Sequence, residues 1–322
     1  MQILTTEEIK KELNNTLNET NFNLPGKYIG KVRDNYKLPG GKRLIVTSDR
    51  ISCFDKIVGT VPFKGQVLNQ IAAYWFGHTK HIVKNHVIDI PDANILIGAE
   101  CRPFPVEVIV RGYITGSIWR DYQSGKREMY GMKFPDELIP QQPFDEPIIT
   151  PSTKAEQGEH DMPISPKETV EKKLVSKEMW KKIEDVSLRL FRHGTELAQK
   201  NNLILVDTKY EFGELNGELV LIDEIHTPDS SRFWYLDTYE QLLQEGKEQK
   251  QMDKEYVRQW LIKERSWMGD GAIPVLPDEV KIEAARRYLE LYGQITGKEF
   301  EHHTGNVSER IISNLKKKGY LG

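Results

Sequence analysis

Residues 203–225, LILVDTKYEFGELNGELVLIDEI, constrain the fold more than any other stretch of the chain. Two runs rich in Leu, Ile, Val, Tyr and Phe, separated at Leu-Asn-Gly, predict an antiparallel hairpin. Alternate side chains of a strand share a face, so Asp207, Lys209 and Glu211 fall together while Val206, Thr208, Tyr210 and Phe212 fall opposite. Three charges in file on otherwise apolar strands, with Asp223 and Glu224 on the return strand, are an expensive way to build a core. Carboxylates converging on a lysine suit Mg²⁺ and the phosphates of ATP, which require hard oxygen ligands and a cation. A solvent-facing hairpin laced with ion pairs is the competing reading. Register decides which acid joins the group. A two-residue Asn-Gly turn sets Glu224 opposite Lys209, whereas a three-residue Leu-Asn-Gly loop with Gly217 left-handed sets Asp223 there, diagonal to Glu211. Both registers are open at this point.

Around this hairpin the pattern is α+β. A helix is expected over residues 3–20, a hairpin over 28–49 turning at Pro39–Gly41, and a helix over 66–78 with Leu68, Ile71, Ala72 and Trp75 in phase. Strands are expected over 86–110. The Pro- and Gly-rich stretch 111–164 is long for a structureless loop, and such segments are often functional. One helix is expected over 168–200, and three more near 253–263, 277–292 and 307–318. Strands early and helices late predict two domains, a β-rich lobe at 1–110 and a mixed lobe at 111–322, with a cleft between them. The segment 299–322 reads equally as a dimerisation helix or an inert tail.

A net charge of −3 gives no sign of a nucleic-acid or membrane partner, although local basic patches for phosphates remain compatible with it. No apolar run approaches the roughly 20 residues of a membrane span. The first twenty residues are polar and acidic where a signal peptide needs an apolar stretch. Cys53 and Cys101 stand in no metal-ligand spacing, which fits a reducing compartment and a cytoplasmic location.

Five other motifs carry chemistry only in company. Gly30, Lys31 and Arg33 in GKVRDNY suit a strand covering a triphosphate with amides and cations, but match no P-loop or dinucleotide fingerprint. Alone they read as a solvated basic hairpin. In FPVEVIVRGYITGS, Arg111 is followed by Thr115, Gly116 and Ser117 at a helix start, an anion site or simply a cap with a surface arginine. Asp229 to Arg232 read as a polar turn, and residues 152–161, with Lys154, Glu156, His160 and Asp161, as a polar loop. Residues 47–56 and 62–65 read as surface loop.

Together and in this order, the segments resemble the SAICAR synthetase family. FPVEVIVRGYITGS is similar to the family signature Pro-x-Glu followed by Arg, then Thr or Ala, Gly and Ser. LVDTKYEFG is similar to Asp-x-Lys-x-Glu-Phe-Gly, and the flanking GKVRDNY and DEIHTPDSSRFW extend the resemblance over roughly residues 28–292. The resemblance implies a SAICAR-synthetase-like α+β fold, an antiparallel β-rich N-terminal lobe over a mixed lobe with the ATP cleft between them. It implies ligation of 5-aminoimidazole-4-carboxy ribonucleotide (CAIR) to L-aspartate, giving SAICAR, ADP and phosphate through an acyl phosphate, in purine biosynthesis. ATP and Mg²⁺ are the implied cofactors, the implied partners are small molecules only, and oligomeric state stays open.

Residue by residue, the resemblance implies Glu211 and Asp223 as metal ligands, which favours the three-residue turn. It implies Asp207 and Lys209 as catalytic groups beside the phosphates. Arg111, Ser117 and Arg232 are implied to hold the ribonucleotide, chiefly by its phosphate. Gly30, Lys31 and Arg33 become the lid over ATP, and the run from Glu107 to Ile109 becomes the reader of the adenine edge. His160 and Asp161 become a substrate-contacting loop, and residues 49–55 with Lys64 help hold nucleotide or aspartate. A small-molecule kinase and a non-catalytic nucleotide-binding module are the rival functions; the intact Lys209, Glu211 and Asp223 weigh against the second.

Overall fold

The computed structural model describes residues 4–154, 161–251 and 255–322, with Glu255 described by its backbone only. His160 lies outside the described residues. In chain order, α1 (Thr6–Lys11), β1 (Tyr28–Ile29), β2 (Arg33–Leu38), β3 (Lys42–Thr47), β4 (Arg50–Cys53) and β5 (Lys56–Thr60) lead to α2 (Lys64–His78). Next come β6 (Val87–Asp92), β7 (Ile95–Ala99), the long β8 (Arg102–Tyr113) and α3 (Gly116–Gln123). Four short strands follow: β9 (Glu128–Met129), β10 (Met132–Lys133), β11 (Pro143–Ile149) and β12 (Ser152–Thr153). After α4 (Pro166–Glu171) and α5 (Lys177–Lys200) come β13 (Leu203–Leu215), β14 (Glu218–Ile222) and β15 (Ser231–Tyr235). Helices α6 (Leu236–Gln244), α7 (Glu255–Arg265), α8 (Asp278–Thr296) and α9 (Val307–Lys317) complete the chain. All ladders between these strands are antiparallel, as an α+β fold requires.

Backbone packing divides the chain into two compact units. The first takes the described residues of 1–74, 86–100 and 252–322, and the second 75–85 and 101–251. A boundary at residue 110 would cut β8; the packing keeps that strand whole in the second unit and groups the C-terminal helices with the N-terminal sheet.

In the first unit, the sheet β1-β2-β3-β7-β6 buries Tyr36, Leu38, Leu44, Val46, Ile95 and Ile97. Val307, Ile311 and Leu315, spaced by four along α9, fill the same core. At about 1.5–3 kcal/mol for each fully buried aliphatic side chain, this face of α9 is an integral part of the unit. The chain end is therefore not an inert tail. A second anchor is ionic: Arg310 donates to both oxygens of buried Asp92, at 3.0 and 3.2 Å.

Two other expectations change here. Residues 50–53 form a buried strand rather than surface loop, because their polar neighbours have partners. Asp49 accepts from the backbone of Leu17 (2.7 Å) and Gly65 (2.8 Å), and Arg50 pairs with Asp34 at 2.8 Å, all buried. The N-terminal helix is only six residues long, fixed at its start by a capping box between Thr5 and Glu8.

In the second unit, the sheet runs β11-β8-β13-β14, with β12 added to β8 and β15 added to β13. Helix α5 packs on it through Trp180, Ile183, Val186, Leu190, Phe191 and Gly194. The single helix expected over 168–200 is two: α4 ends at Glu171, Lys173 turns left-handed (φ 57°), and Ser176 caps α5 through the amide of Met179.

Candidate active site

The site is organised by β13, whose thirteen residues are too many for one neighbour on each edge. One edge pairs with β8, placing Arg111 beside Asp207, Ile109 beside Lys209 and Glu107 beside Glu211. The other edge is shared: β15 pairs with residues 203–208 and β14 with residues 211–215. The chain between them, 223–230, loops out where Lys209 stands, and the Lys209 amide donates to Ser230 O at 2.9 Å. Asp223 therefore starts the loop beside Lys209, and Arg232 follows the loop on β15, opposite Asp207.

The hairpin register departs from the one the resemblance favoured. Leu215 pairs with Glu218 across a two-residue turn, with Asn216 and Gly217 both at positive φ (54° and 80°). This is the arrangement that matches the right-handed twist of the strands. Continued, it would bring Glu224 to Lys209, but pairing stops at Ile222 and Asp223 turns left-handed (φ 64°). Asp223 Oδ2 consequently reaches 3.9 Å from Lys209 Nζ, while Glu224 is buried and accepts a hydrogen bond from Thr227 Oγ1.

Lys209 Nζ is the centre of the first cluster. It donates to Glu211 Oε1 at 2.6 Å and to Glu107 Oε1 at 2.8 Å. Lys154 closes on the other oxygen of Glu211. Burial alone would favour the neutral amine of Lys209, but the charges of Glu211, Asp223 and Glu107 outweigh it and hold the ammonium well above its ordinary range. Burial likewise works against the Glu211 carboxylate, and Lys209 and Lys154 overcome it, so Glu211 stays ionised far into acid. Glu107 moves the other way: burial raises it, Lys209 offsets part of that, and the like charges of Glu211 and exposed Asp161 add to the rise.

The second cluster lies one strand-step away on the same face. Asp207 Oδ1 accepts from Arg232 Nε (3.0 Å), and its Oδ2 receives Arg232 Nη2 at 2.7 Å and Arg111 Nη1 at 3.3 Å. Arg111 also donates to Thr150 Oγ1 at 2.8 Å and to Ser117 Oγ at 3.2 Å. Gly116 makes this approach possible, since a Cβ there would lie 2.3 Å from Arg232 Nη2. Asp207, expected beside the transferred group, holds two guanidinium groups side by side. Tyr130 is left-handed (φ 56°) in the tight turn between β9 and β10 and stands near Arg111.

The backbone of Glu107 and Ile109, expected to read an adenine edge, runs between two neighbours. β8 pairs with β13 on one side, while on the other Ser152 lies opposite Glu107 and the Thr150 amide donates to Ile109 O at 2.8 Å. What this run contributes to the site is the Glu107 side chain. Of the residues these clusters bring together, Thr150 stands in none of the sequence motifs, and Lys154 stands there only in a polar loop.

Gly30, Lys31 and Arg33 belong to the first unit, where the turn is closed by Gly30 N donating to Arg33 O at 2.8 Å. Buried Arg50 donates to Gly30 O (3.0 Å) and Lys31 O (3.1 Å), leaving Lys31 exposed beside Asp55. Lys64 is fully buried, its ammonium 5.4 Å from the ring centre of Tyr288.

The SAICAR synthetase family profile matches residues 26–272. A phosphoribosylaminoimidazole-succinocarboxamide synthase of Legionella pneumophila is 46% identical over 307 residues, covering 93% of this chain and 97% of that protein. The SAICAR synthase of Saccharomyces cerevisiae, solved in complex with SAICAR, superposes with a TM-score of 0.79 at 32% identity, covering 89% of this chain and all of that one. A type-2 SAICAR synthetase solved with ADP gives 0.65 at 25% identity, covering 86% of this chain and all of the other.

Proposed function

The chain belongs to the SAICAR synthetase family, and from that membership we infer that it is the ATP-dependent ligase joining CAIR to L-aspartate in purine biosynthesis. A carboxylate is a poor acyl donor, so the reaction requires its activation. In our reading the CAIR carboxylate takes the γ-phosphoryl group of ATP, the aspartate amine attacks the acyl phosphate, and phosphate leaves with one former carboxylate oxygen.

The observation that carries this assignment is the division of labour along one face of β13. Asp207 sets Arg111 and Arg232 side by side, two forked cations suited to a ribonucleotide phosphate, with Ser117 as a hydroxyl beside them. One strand-step on, Lys209 supplies a fixed ammonium for charge on the transferred group, and electrostatic placement of this kind dominates phosphoryl transfer. Lys209 is the catalytic group in this reading, and Asp207 a positioning residue.

Glu211 and Asp223 fit the family's Mg²⁺. Both are oxygen donors within 4 Å of the same ammonium, at 2.6 and 3.9 Å. Among the described residues no group of three or more His, Cys, Asp or Glu is arranged as a ready-made cage. Mg²⁺ commonly takes only one or two carboxylates and completes its shell with phosphates and water. When bound, the ion would neutralise phosphate charge, and Lys154 and Lys209 supply the counter-charge on Glu211.

Gly30, Lys31 and Arg33 serve the ATP phosphates, Ile109 lines the site opposite Lys209, and Asp161 with His160 contributes to the substrate loop. We assign the enzyme to the cytoplasm on its two free cysteines, which suit a reducing compartment; no described helix is long and apolar enough to cross a membrane. The test is ADP release with ATP, Mg²⁺ and CAIR, with and without L-aspartate. Dependence on both, with a succinocarboxamide product by mass, supports the ligase; indifference to aspartate would favour a kinase.

A further inference from the structure

The opposite face of β13 carries a polar pair that the reaction itself does not use. Tyr210 points away from Lys209 into the core, and its hydroxyl lies 2.6 Å from His226 Nε2. Both side chains are fully buried. His226 is left-handed (φ 49°), three residues after left-handed Asp223, so the loop 223–230 holds two non-glycine residues in a region that side chains disfavour. Such strain persists where the surroundings over-determine it. Here they do: Gly194 of α5 is bare where a Cβ would lie 2.3 Å from His226 Cε1, and Trp75 meets the imidazole edge-on at 4.6 Å. One step along β13, Ser231 Oγ donates to Thr208 Oγ1 at 2.7 Å. The apolar side of the strand thus fastens the loop at two points, in step with the functional residues on its other side.

We propose that the Tyr210–His226 hydrogen bond is a positioning device for the reaction: it fixes, from behind β13, the loop that starts at Asp223 and leads into Arg232 on β15. The proposal rests on the roles given above to those two residues. One bond then sets two subsites at once, the metal-nucleotide side through Asp223 and the ribonucleotide phosphate through Arg232. Packing alone would make the bond a contributor to stability only. Burial keeps the imidazole neutral, its pKa lowered to about 3, so the bond persists through the working pH range.

The test uses the full chain, with equilibrium dissociation constants for CAIR and for ADP with Mg²⁺ measured below the melting temperature. Tyr210→Phe removes one hydroxyl and should raise both constants together by about tenfold. His226→Gln, whose amide nitrogen falls near Nε2, should stay within about threefold of the parent, while Tyr210→Phe combined with His226→Gln should be no worse than Tyr210→Phe alone. A Tyr210→Phe protein that melts earlier but binds both ligands as the parent does would overturn the proposal, as would additive effects in the double variant. A parent protein that binds Mg²⁺·ADP but not CAIR would fault the assigned reaction instead, and the ADP constants of the variants would still decide the positioning role. A parent that binds neither ligand would overturn both.

Discussion

Lys209 Nζ lies 2.6 Å from Glu211 Oε1 on its own strand, two residues along, so the central cation and a proposed metal ligand are fixed to one rigid element. Both side chains are rooted on β13, and each keeps the other charged in a buried setting. The activity and stability of variants at these positions should therefore separate.

Glu211→Gln or Asp223→Asn should lower kcat by about 100-fold or more, a loss of roughly 2.7 kcal/mol in transition-state stabilisation. Lys209 would retain Glu107 and the remaining acid, so melting should fall by only a few degrees. Steady-state kinetics at saturating Mg²⁺ beside a thermal melt measures both; unchanged turnover in both variants would remove the metal assignment.

Arg232→Ala deletes a paired guanidinium whose charge-assisted bonds are worth roughly 1.5–3 kcal/mol. The KM for CAIR should rise about 10- to 100-fold, with little change in the KM for aspartate. Gly116→Ala should move the same constant in the same direction, because its methyl group would displace Arg232. An equal rise in both substrates' KM would argue against a phosphate-holding role.

His86 is buried, and burial, helped by Arg33 and Arg43, lowers its pKa from 6.5 to about 4. The unfolded chain binds the proton first as pH falls, so this residue's contribution is complete above pH 6.5 and is lost down to about pH 4. The difference amounts to about 3 kcal/mol. Urea unfolding of the parent and of His86→Gln across this range should show the gap between them narrowing towards acid. A gap independent of pH would mean that His86 does not titrate in this way.

Ile311→Ala should cost about 2–5 kcal/mol, as expected for a fully buried aliphatic side chain. Arg310→Ala should cost a similar amount by leaving the carboxylate of Asp92, 1% exposed in its side chain, without its guanidinium. Chemical denaturation reads both directly. Variants as stable as the parent would mean that α9 is dispensable to the first unit.

Much of the site was legible in the sequence because strand alternation is a rigid rule: Asp207, Lys209 and Glu211 share a face, and Tyr210 and Phe212 are buried on the other. What alternation does not convey is how two strands divide one edge. Asp223 reaches Lys209 because β14 stops and the chain turns left-handed there, a local event that neither candidate register contained. Arg50 and Asp34 illustrate a second limit. Charged residues read as surface unless a partner is known, and these partners lie sixteen positions apart on different strands. The apolar stripe of α9 marked a buried face, but a stripe does not name what it packs against. The break before α5 lacked Gly or Pro, leaving Ser176 as its only sign.

The most direct test of the account follows heavy oxygen from the CAIR carboxylate while ADP release is measured with and without L-aspartate. The account predicts aspartate-dependent formation of SAICAR, with one labelled oxygen appearing in the released phosphate. Unlabelled phosphate would contradict the acyl-phosphate route, and ADP release indifferent to aspartate would contradict ligation itself.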